Sequence, residues 1–321
     1  MLIVAALGGN ALLRRGEPLG LDEQQRNVAT AAASLAALVR EHTVVITHGN
    51  GPQVGLLALQ AESFSEVPPY PLDVLDAESE GMIGYLLGQA LGNALPSRSV
   101  ATLLTQVVVD AHDPAFAHPT KPIGPQYSAQ DARERATTRG WTVAPDGPDG
   151  WWRRVVGSPA PLDIVELHAI RTLMDAGFVV IAVGGGGVPV TRSTDGTHHG
   201  VEAVIDKDAA AALLAERIGA DRLLLLTDVS AVELSYGTPH ARSVGVVDTD
   251  TLASHEFAPG SMGPKVDAAC RFVDVTGQVA VIGSIEDAAA LANGEAGTVV
   301  VPSVHAAGAP KSDTVQRVST T

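Results

Sequence analysis

The amino-acid sequence predicts an α/β fold with a mainly parallel sheet that is covered by helices on both faces. Short, continuous runs of Val, Ile and Leu alternate along the chain with longer segments of helical character. Such runs are typical of strands that are buried on both faces, as in parallel sheets. The 321 residues and their 45% hydrophobic content are sufficient for one large domain or for two lobes of ordinary size.

Six apolar runs are the predicted strands of this sheet. They are Leu2 to Leu7, Thr43 to Thr47, Ser99 to Val109, Phe178 to Val183, Arg222 to Thr227, and Gln278 to Gly283. A further strand-like run, Val201 to Ile205, leads directly into Asp206, Lys207 and Asp208. Helices are predicted at Asp22 to Arg40, Leu72 to Leu95, Asp163 to Gly177, Asp208 to Gly219, and Pro264 to Thr276.

The first apolar run is predicted to be a buried strand rather than a signal peptide. It lacks a preceding basic segment, and it ends after about seven residues at Gly8-Gly9. No stretch of eighteen apolar residues occurs in the sequence, so no membrane span is expected. The single cysteine, Cys270, excludes an internal disulfide and gives no sign of an oxidising compartment. We therefore expect a cytoplasmic protein.

The composition also limits the possible partners. A formal net charge of −15 disfavours nucleic acid, because binding a phosphate backbone requires a basic face. A small anionic substrate remains compatible, since it responds to local groups rather than to the total charge. The sequence contains neither a P-loop motif nor a dinucleotide-binding glycine motif with a correctly spaced acid.

Two regions interrupt the alternation of strands and helices. Residues 110–152 are rich in Pro, Gly and His, which predicts an inserted loop or small subdomain that could serve as a lid. Residues 304–321 are polar and rich in turn-forming residues, which predicts a loose tail.

Glycine clusters follow three of the predicted strands. They are Gly8-Gly9-Asn10, Gly49-Asn50-Gly51 and Gly184 to Gly187. In parallel α/β sheets, ligands bind at the carboxyl ends of the strands. Glycine allows backbone N–H groups to approach a ligand closely, and a following helix N-terminus favours an anion. The three clusters together predict an anion-binding site.

The lysines indicate which anion is bound. The chain has only four, against seventeen arginines, and Lys121, Lys207 and Lys265 each lie in a segment rich in Gly, Pro or Asp. A lysine ammonium is a compact charge, whereas arginine is a wide planar fork. Phosphoryl transfer requires positive charge placed in advance on the phosphoryl oxygens. We therefore interpret these three lysines as functional, although solvated surface lysines are the simpler alternative for any one of them.

Several acidic and histidine residues allow more than one interpretation. Asp208 is expected at a helix N-cap and could also hold lysine ammonium groups in place. Asp76, Glu78 and Glu80 alternate like a catalytic carboxylate set, but an exposed helix start explains them equally well. The adjacent histidines 198 and 199 lack a metal-ligand spacing, so no metal site is predicted there.

Taken together, these segments resemble the carbamate kinase branch of the amino acid kinase family. The resemblance runs from about Leu2 to Val301. It rests on the motifs ALGGNAL, THGNGPQVG, PLDVLDAESEGMIGY, DPAFAHPTKPIGPQY, VIAVGGGGVPV, GVEAVIDKDAAAALLA, LLLTDV, SYGTP and GSMGPKV. No single motif is decisive, but their combination is very specific.

The resemblance implies a fold, an activity and a set of partners. The fold would be the three-layer αβα sandwich of the amino acid kinases, with an acceptor lobe at 1–195 and a nucleotide lobe at 196–303. The activity would be reversible phosphoryl transfer between ATP and carbamate, as in arginine metabolism, by a homodimer. Mg²⁺ would be held mainly by the nucleotide phosphates, so no protein ligand for a metal is expected.

Roles for individual residues follow from the same resemblance. Lys207 would neutralise charge on the phosphoryl oxygens, Lys265 would act from the nucleotide side, and Asp208 would orient them. Lys121 would close over carbamoyl phosphate from the inserted subdomain. Backbone N–H groups would cradle the acceptor and the phosphoryl group at Gly8, Gly9, Asn10, Gly49, Asn50 and Gly51. The nucleotide pocket would include Asp206, Thr227, Asp228, Tyr236 and Met262.

One departure from the family pattern leaves the acceptor open. The family usually has CGAMSQ before GMIGY, where this chain has LDAESE. The added negative charge motivates an alternative, a kinase of the same fold that acts on another small carboxylate or phosphonate. A nucleotide-binding sensor without turnover is a second alternative, which the complete lysine set argues against, because binding alone needs no charge placed for a transition state.

Overall fold

The computed structural model describes residues 1–13, 17, 18, 20–64, 66–147, 149–258 and 260–303, without the side chains of residues 10 and 11. The segment predicted as a loose tail, 304–321, lies outside the described residues.

Strands and helices are numbered separately along the described chain. The strands are β1 (Leu2–Leu7), β2 (Thr43–His48), β3 (Val100–Thr102), β4 (Gln106–Val109), β5 (Lys121–Tyr127), β6 (Thr142–Pro145), β7 (Trp152–Val156), β8 (Pro161–Ile164), β9 (Val179–Ile181), β10 (Val188–Arg192), β11 (His198–Gly200), β12 (Arg222–Thr227), β13 (Glu233–Leu234), β14 (Arg242–Ser243), β15 (Val246–Asp248), β16 (Val279–Ser284) and β17 (Thr298–Val301). The α-helices are α1 (Gly9–Leu12), α2 (Leu21–Glu41), α3 (Gly51–Ser63), α4 (Leu72–Ala94), α5 (Ala129–Arg139), α6 (Leu167–Asp175), α7 (Lys207–Ile218), α8 (Thr249–Ala253), α9 (Met262–Thr276) and α10 (Ala288–Asn293).

The largest sheet in the described part of the chain has eight strands in the order β15-β17-β16-β12-β1-β2-β9-β3. Strand β1 lies at its centre and pairs in parallel with β12 and β2, so that Ala5 is opposite both Leu224 and Ile46. Only the β16–β17 pair within this sheet, as described, is antiparallel. The predicted mainly parallel sheet is therefore confirmed.

Helices cover this sheet on both faces, as the uninterrupted apolar strands require. On β1, Val4 and Ala6 pack in the core beside α7 and α9. The alternating residues Ile3 and Ala5 pack in a second core beside α2 and α4. Side chains of a strand alternate between its two faces, so a strand between two apolar layers has no polar alternation. The three-layer α/β fold is confirmed.

The predicted strand Ser99 to Val109 is wrong in one respect, because the chain breaks it into β3 and β4. Strand β3 ends the large sheet, whereas β4 joins a second sheet in the order β11-β10-β4-β8. Between them, the backbone N–H of Thr105 donates to the Glu80 carboxylate at 3.1 Å instead of to a neighbouring strand. This tertiary bond ends one strand before the next begins.

Two further boundaries differ from the prediction. The predicted helix from Asp163 begins later, at α6, because residues 161–164 form β8 beside β4. The strand-like run from Val201 to Ile205 joins no sheet. Its backbone N–H groups make isolated bonds instead, from Val201 to the carbonyl of Pro189 and from Val204 to the carbonyl of Gly157. Apolar runs of this length are compatible with a buried, irregular segment as well as with a strand.

The inserted region contains a small sheet of its own. Strands β5, β7 and β6 form an antiparallel sheet beside α5. This unit rests on α3 at a close backbone crossing, where a Cβ on Gly55 would lie 2.0 Å from the Cα of Gly124. The boundary at residue 195 between the two predicted lobes stays a prediction. Among the described residues, no helix is both long and apolar enough to cross a membrane.

Candidate functional site

The three glycine clusters lie side by side at one edge of the large sheet. They follow β1, β2 and β9, which are neighbours in that sheet. The backbone N–H of Gly8 donates to Leu226 at 2.8 Å, and that of Gly49 donates to Leu7 at 3.1 Å. Gly51 is the first residue of α3, so amide groups of the first helical turn, which have no partner within the helix, lie at this edge. This arrangement suits an anion.

Lys207 crosses directly over the second glycine cluster. A Cβ added to Gly49 would lie 3.0 Å from Cδ of Lys207 and 3.4 Å from the backbone nitrogen of Gly9. The first two glycine clusters and this lysine therefore meet at one point. The cradling role predicted for the backbone N–H groups of these two clusters, that of Asn10 included, stays a prediction.

The helix that begins with Lys207 is capped by Asp206. Its carboxylate accepts from the backbone N–H groups of Asp208 at 2.9 Å and Ala209 at 3.1 Å. The expected N-cap position of Asp208 is therefore wrong by two residues, because the helix begins at Lys207 and Asp206 is its N-cap. Asp206 also forms an ion pair with Lys121 of β5, with 2.5 Å between Nζ and Oδ2.

Asp208 is instead free to hold two lysines. Its Oδ1 lies 2.5 Å from Nζ of Lys207, and its Oδ2 lies 3.1 Å from Nζ of Lys265 in α9. Both carboxylate oxygens are used, and the Asp208 side chain is buried. The three lysines selected from the sequence thus converge on two carboxylates that are two residues apart.

Burial and charge perturb these groups in opposite directions. Burial, together with the neighbouring Lys265 charge, lowers the pKa of the Lys207 ammonium to about 8. Burial opposes ionisation of Asp206 and Asp208, but the lysine ammonium groups outweigh it and hold both pKa values below their ordinary value. Burial also acts against the charge on Lys265, yet the Asp208 carboxylate raises its pKa. A further anion at this site would favour the charged form of Lys207.

The residues predicted for the nucleotide pocket differ in how the structure places them. Thr227 ends β12 next to Gly8, where a Cβ on the glycine would lie 3.7 Å from its Cα. Its hydroxyl donates to Asp228 at 3.1 Å. Met262 starts α9 and packs against the core beside α7. Tyr236 is 74% exposed, so the structure does not bury it with the lysines.

A cluster of buried polar residues behind the glycine clusters, formed by Asp76, Glu80 and His48, was not predicted. Asp76 is 2% exposed and Glu80 is 1% exposed, so the interpretation of these residues as an exposed helix start is wrong, although Glu78 is exposed. Burial raises the pKa of Asp76 well above its ordinary value and that of Glu80 to about 8. Burial lowers the pKa of His48 to about 4, so this imidazole is neutral.

The sequence did contain a signal for this group. Positions 76, 80, 83 and 87 recur at helical spacing, and the last two are the apolar core residues Ile83 and Leu87. Polar residues on the same stripe should have been expected to be buried. The adjacent histidines 198 and 199 lie on β11, and no group of three or more His, Cys, Asp or Glu within the described ranges is placed to hold a metal.

Comparison with known proteins agrees with this geometry. The family model described as the amino acid kinase family matches residues 1–284. The chain belongs to the amino acid kinase family. The fold and the resemblance inferred from the motifs are thereby confirmed.

Several relatives that match nearly the full length of this chain are carbamate kinases. A carbamate kinase from Rhizobium meliloti is 51% identical over 303 residues, which are 94% of this chain and 93% of the relative. The solved structure of carbamate kinase from Giardia lamblia bound to citric acid is 39% identical, with a TM-score of 0.88 over 94% of this chain and 98% of the other. The same Giardia enzyme bound to AMP-PNP is 40% identical, with a TM-score of 0.84 over the same shares.

Proposed function

We propose that this protein is a carbamate kinase, which transfers a phosphoryl group reversibly between ATP and carbamate. One observation carries the proposal: the ammonium groups of Lys121, Lys207 and Lys265 converge on two carboxylates beside the glycine clusters. The chain in which they do so is 51% identical to a carbamate kinase over almost its whole length.

The site is suited to hold two anions together. Carbamate and the γ-phosphate of ATP repel each other in water, and the protein must offset that repulsion while keeping the reacting atoms in line. Lys207 lies against Gly49 and is held from behind by Asp208, so its ammonium is fixed before any substrate binds. Preorganised charge of this kind stabilises the transferring phosphoryl group more than mobile charge in water does.

The reaction requires no covalent intermediate on the protein. A carbamate oxygen forms the new bond to the γ-phosphorus while the bond from phosphorus to the bridging oxygen of ADP breaks. Carbamate is already an anion, so no strong general base is needed to expose its oxygen. In the proposed arrangement, Lys207 follows the charge on the phosphoryl oxygens, Lys265 acts from the nucleotide side, and Lys121 closes over the acceptor.

The nucleotide is proposed to bind beside Thr227, Asp228, Tyr236 and Met262, together with Asp206. The Giardia relative bound to AMP-PNP supports a nucleotide substrate for this chain as well. We propose that Mg²⁺ arrives with the nucleotide, whose phosphate oxygens are hard ligands that suit it, and that Mg²⁺ reduces phosphate charge during transfer.

The protein is further proposed to be a cytoplasmic homodimer that participates in arginine metabolism. An exposed apolar stripe on α4 supports the dimer, since Val74, Met82 and Tyr85 share one helical face beside the exposed Leu104. Sedimentation of the wild-type protein and of Tyr85→Asp tests it. A dimer that the variant splits is expected, and a monomeric wild type at micromolar concentration would contradict it.

The activity is tested by ATP formation from ADP, Mg²⁺ and carbamoyl phosphate, with Lys207→Ala protein as a comparison. Rapid formation that the variant loses is the expected result. If ADP binds and no ATP forms, a panel of acyl phosphates and phosphonates separates the alternative acceptor from the non-catalytic sensor. Transfer to or from another acceptor supports the first, and binding without any transfer supports the second.

A further inference from the structure

Two buried carboxyl groups on one turn of α4 hold two of the glycine clusters. Asp76 accepts from the side-chain nitrogen of Asn50 at 2.9 Å. Glu80 accepts from the backbone N–H of Gly184 at 2.9 Å and from that of Thr105 at 3.1 Å. One helical turn therefore ties down the cluster after β2 and the cluster after β9.

The second of these clusters begins with a strained residue. Val183 is fully buried and has a φ of 55°, which is a left-handed conformation that β-branched residues rarely adopt. Its backbone N–H donates to the hydroxyl of Thr105 at 3.0 Å. Strain of this kind persists only where the surroundings fix it. Glu80 and Thr105 supply that constraint on either side of the bond between Val183 and Gly184.

Close contacts continue from this cluster to the lysines. A Cβ on Gly184 would lie 2.3 Å from Nε2 of His48, and one on Gly185 would lie 2.2 Å from Nδ2 of Asn50. A Cβ on Gly186 would lie 2.6 Å from the carbonyl oxygen of Ile205, the residue before Asp206. The glycine clusters and the start of α7 are thus packed without spare volume, and a shift in one moves the others.

We propose that Asp76 and Glu80 are positioning residues for the phosphoryl acceptor, which fix the two glycine clusters and, through them, the placement of Lys207. This role rests on the proposed function. Neither residue touches substrate, because both side chains are buried behind the clusters. The feature that departs from the family pattern in sequence thus has a defined place in the structure.

The chemistry of the Asp76 side chain allows a loss of its positioning role to be distinguished from a simple loss of packing. Its Oδ2 is buried and has no hydrogen-bond partner, and burial keeps the pKa of this carboxyl well above its ordinary value. A neutral carboxylic acid has the same shape as an asparagine amide, and both retain an oxygen that can accept from Asn50. Asparagine should therefore substitute for Asp76 as the acceptor for Asn50, whereas alanine leaves the Asn50 amide without this acceptor.

Steady-state kinetics of ATP formation tests the role. Asp76→Ala is expected to raise KM for carbamoyl phosphate roughly tenfold or more, and to leave KM for ADP within about twofold. Asp76→Asn is expected to restore KM for carbamoyl phosphate to within about threefold of the wild type. Glu78→Ala, an exposed carboxylate on the same helix, is the matched control and should change neither constant.

A second route protects the test against misfolding of Asp76→Ala. Ser79→Ala removes the other group within 2.9 Å of the Asn50 amide nitrogen and should shift the same constant in the same direction. An active wild type with unchanged KM values in both variants would overturn the positioning role, as would equal changes in both substrates or an Asp76→Asn as impaired as Asp76→Ala. The rate of the wild-type protein alone tests the proposed function. A failure of the proposed function can therefore be distinguished from a failure of the positioning role.

Discussion

Lys121 and Asp206 form an ion pair across 85 residues of sequence, with 2.5 Å between the ammonium nitrogen and the carboxylate oxygen. The same carboxylate caps the helix that begins with Lys207. One aspartate therefore connects the small three-stranded sheet to the first turn of α7. Asp208, two residues later, connects that turn to α9 through Lys265. The charged groups from three separate elements are fixed at a single helix terminus.

The two functions of Asp206 can be separated by substitution. Asparagine is as good an N-cap as aspartate but cannot form the ion pair, whereas alanine can do neither. We expect Asp206→Ala to be less stable than Asp206→Asn by about 1 kcal/mol in urea unfolding. Both variants lose the pair with Lys121, so the difference between them reports the cap alone. Equal stability of the two would show that the cap contributes nothing.

Loss of the Lys207 ammonium should affect the rate far more than stability. We expect Lys207→Ala to lower kcat for ATP formation by about 10²- to 10³-fold, the range for removing one preorganised transition-state donor. Lys207→Arg should recover little of this, since a planar guanidinium does not fit where the Lys207 stem crosses Gly49. Arg26→Ala, an exposed cation on α2, serves as the control and should retain full activity.

The pKa of Lys207 predicts an alkaline limit to activity. Below about pH 8 the ammonium is charged and can bind phosphate, and above it the amine becomes neutral. We expect kcat/KM for carbamoyl phosphate to fall above about pH 8, and kcat to fall only at higher pH, because the bound anion favours the charged form.

The arginine variant is the control for this pH profile. Lys207→Arg keeps its charge throughout the range, so its residual kcat/KM should lose the limb near pH 8. Glu80 also has a pKa of about 8, and a limb that remains in Lys207→Arg would assign the profile to Glu80 or another group.

The sequence predicted the central sheet well, because a strand that is buried on both faces has apolar residues at nearly every position. β1 is apolar throughout, β12 is a run of four leucines between Arg222 and Thr227, and the predicted bounds of both strands match the structure. The break between β3 and β4 could not be predicted in the same way. It depends on the bond from Thr105 to Glu80, which joins residues 25 positions apart and is decided by how α4 packs.

The sequence predicted which lysines belong to the candidate site, but not which carboxylates and amides pair with one another. The lysines were recognisable from their scarcity and from their neighbours in sequence. Which of Asp206 and Asp208 caps the helix depends on where α7 begins, and a start two residues later would make Asp208 the N-cap. The burial of Asp76 was accessible from helical periodicity, but its contact with Asn50 depends on the packing of α4 against the loop after β2.

Close packing around the glycine cluster after β9 predicts a large cost for a single methyl group. In Gly184→Ala, the new Cβ would lie 2.3 Å from the His48 ring and 2.8 Å from Cγ of Glu80, both of which are buried. We expect a loss of about 2 kcal/mol or more in the free energy of unfolding. Gly92→Ala, in α4 with nothing within 4 Å of the added Cβ, should instead be neutral or stabilising by up to about 1 kcal/mol. Similar unfolding midpoints for the two variants would contradict the packing described here.

The buried carboxyl of Glu80 predicts how stability changes with pH. Its pKa is about 8 in the folded protein against an ordinary value of 4.5, so the folded state retains a proton that the unfolded state releases. The unfolded state therefore binds fewer protons between these values, and the contribution of Glu80 to stability falls as pH rises from about 4.5 to about 8. The slope for a single group is at most about 1.4 kcal/mol per pH unit.

Glu80→Gln isolates this contribution because glutamine does not titrate. Urea unfolding of both proteins at several pH values from 5 to 8 gives the difference in unfolding free energy, wild type minus variant. We expect that difference to decrease steadily with rising pH, even if the variant is less stable than the wild type at pH 5. The absolute difference reflects the backbone hydrogen bond that glutamine loses, because its single side-chain oxygen can accept from only one of Thr105 and Gly184, whereas only the titration of Glu80 gives it a slope. A difference that is constant with pH would show that Glu80 is ionised in the folded protein, with its charge held by the two backbone N–H groups that it accepts from.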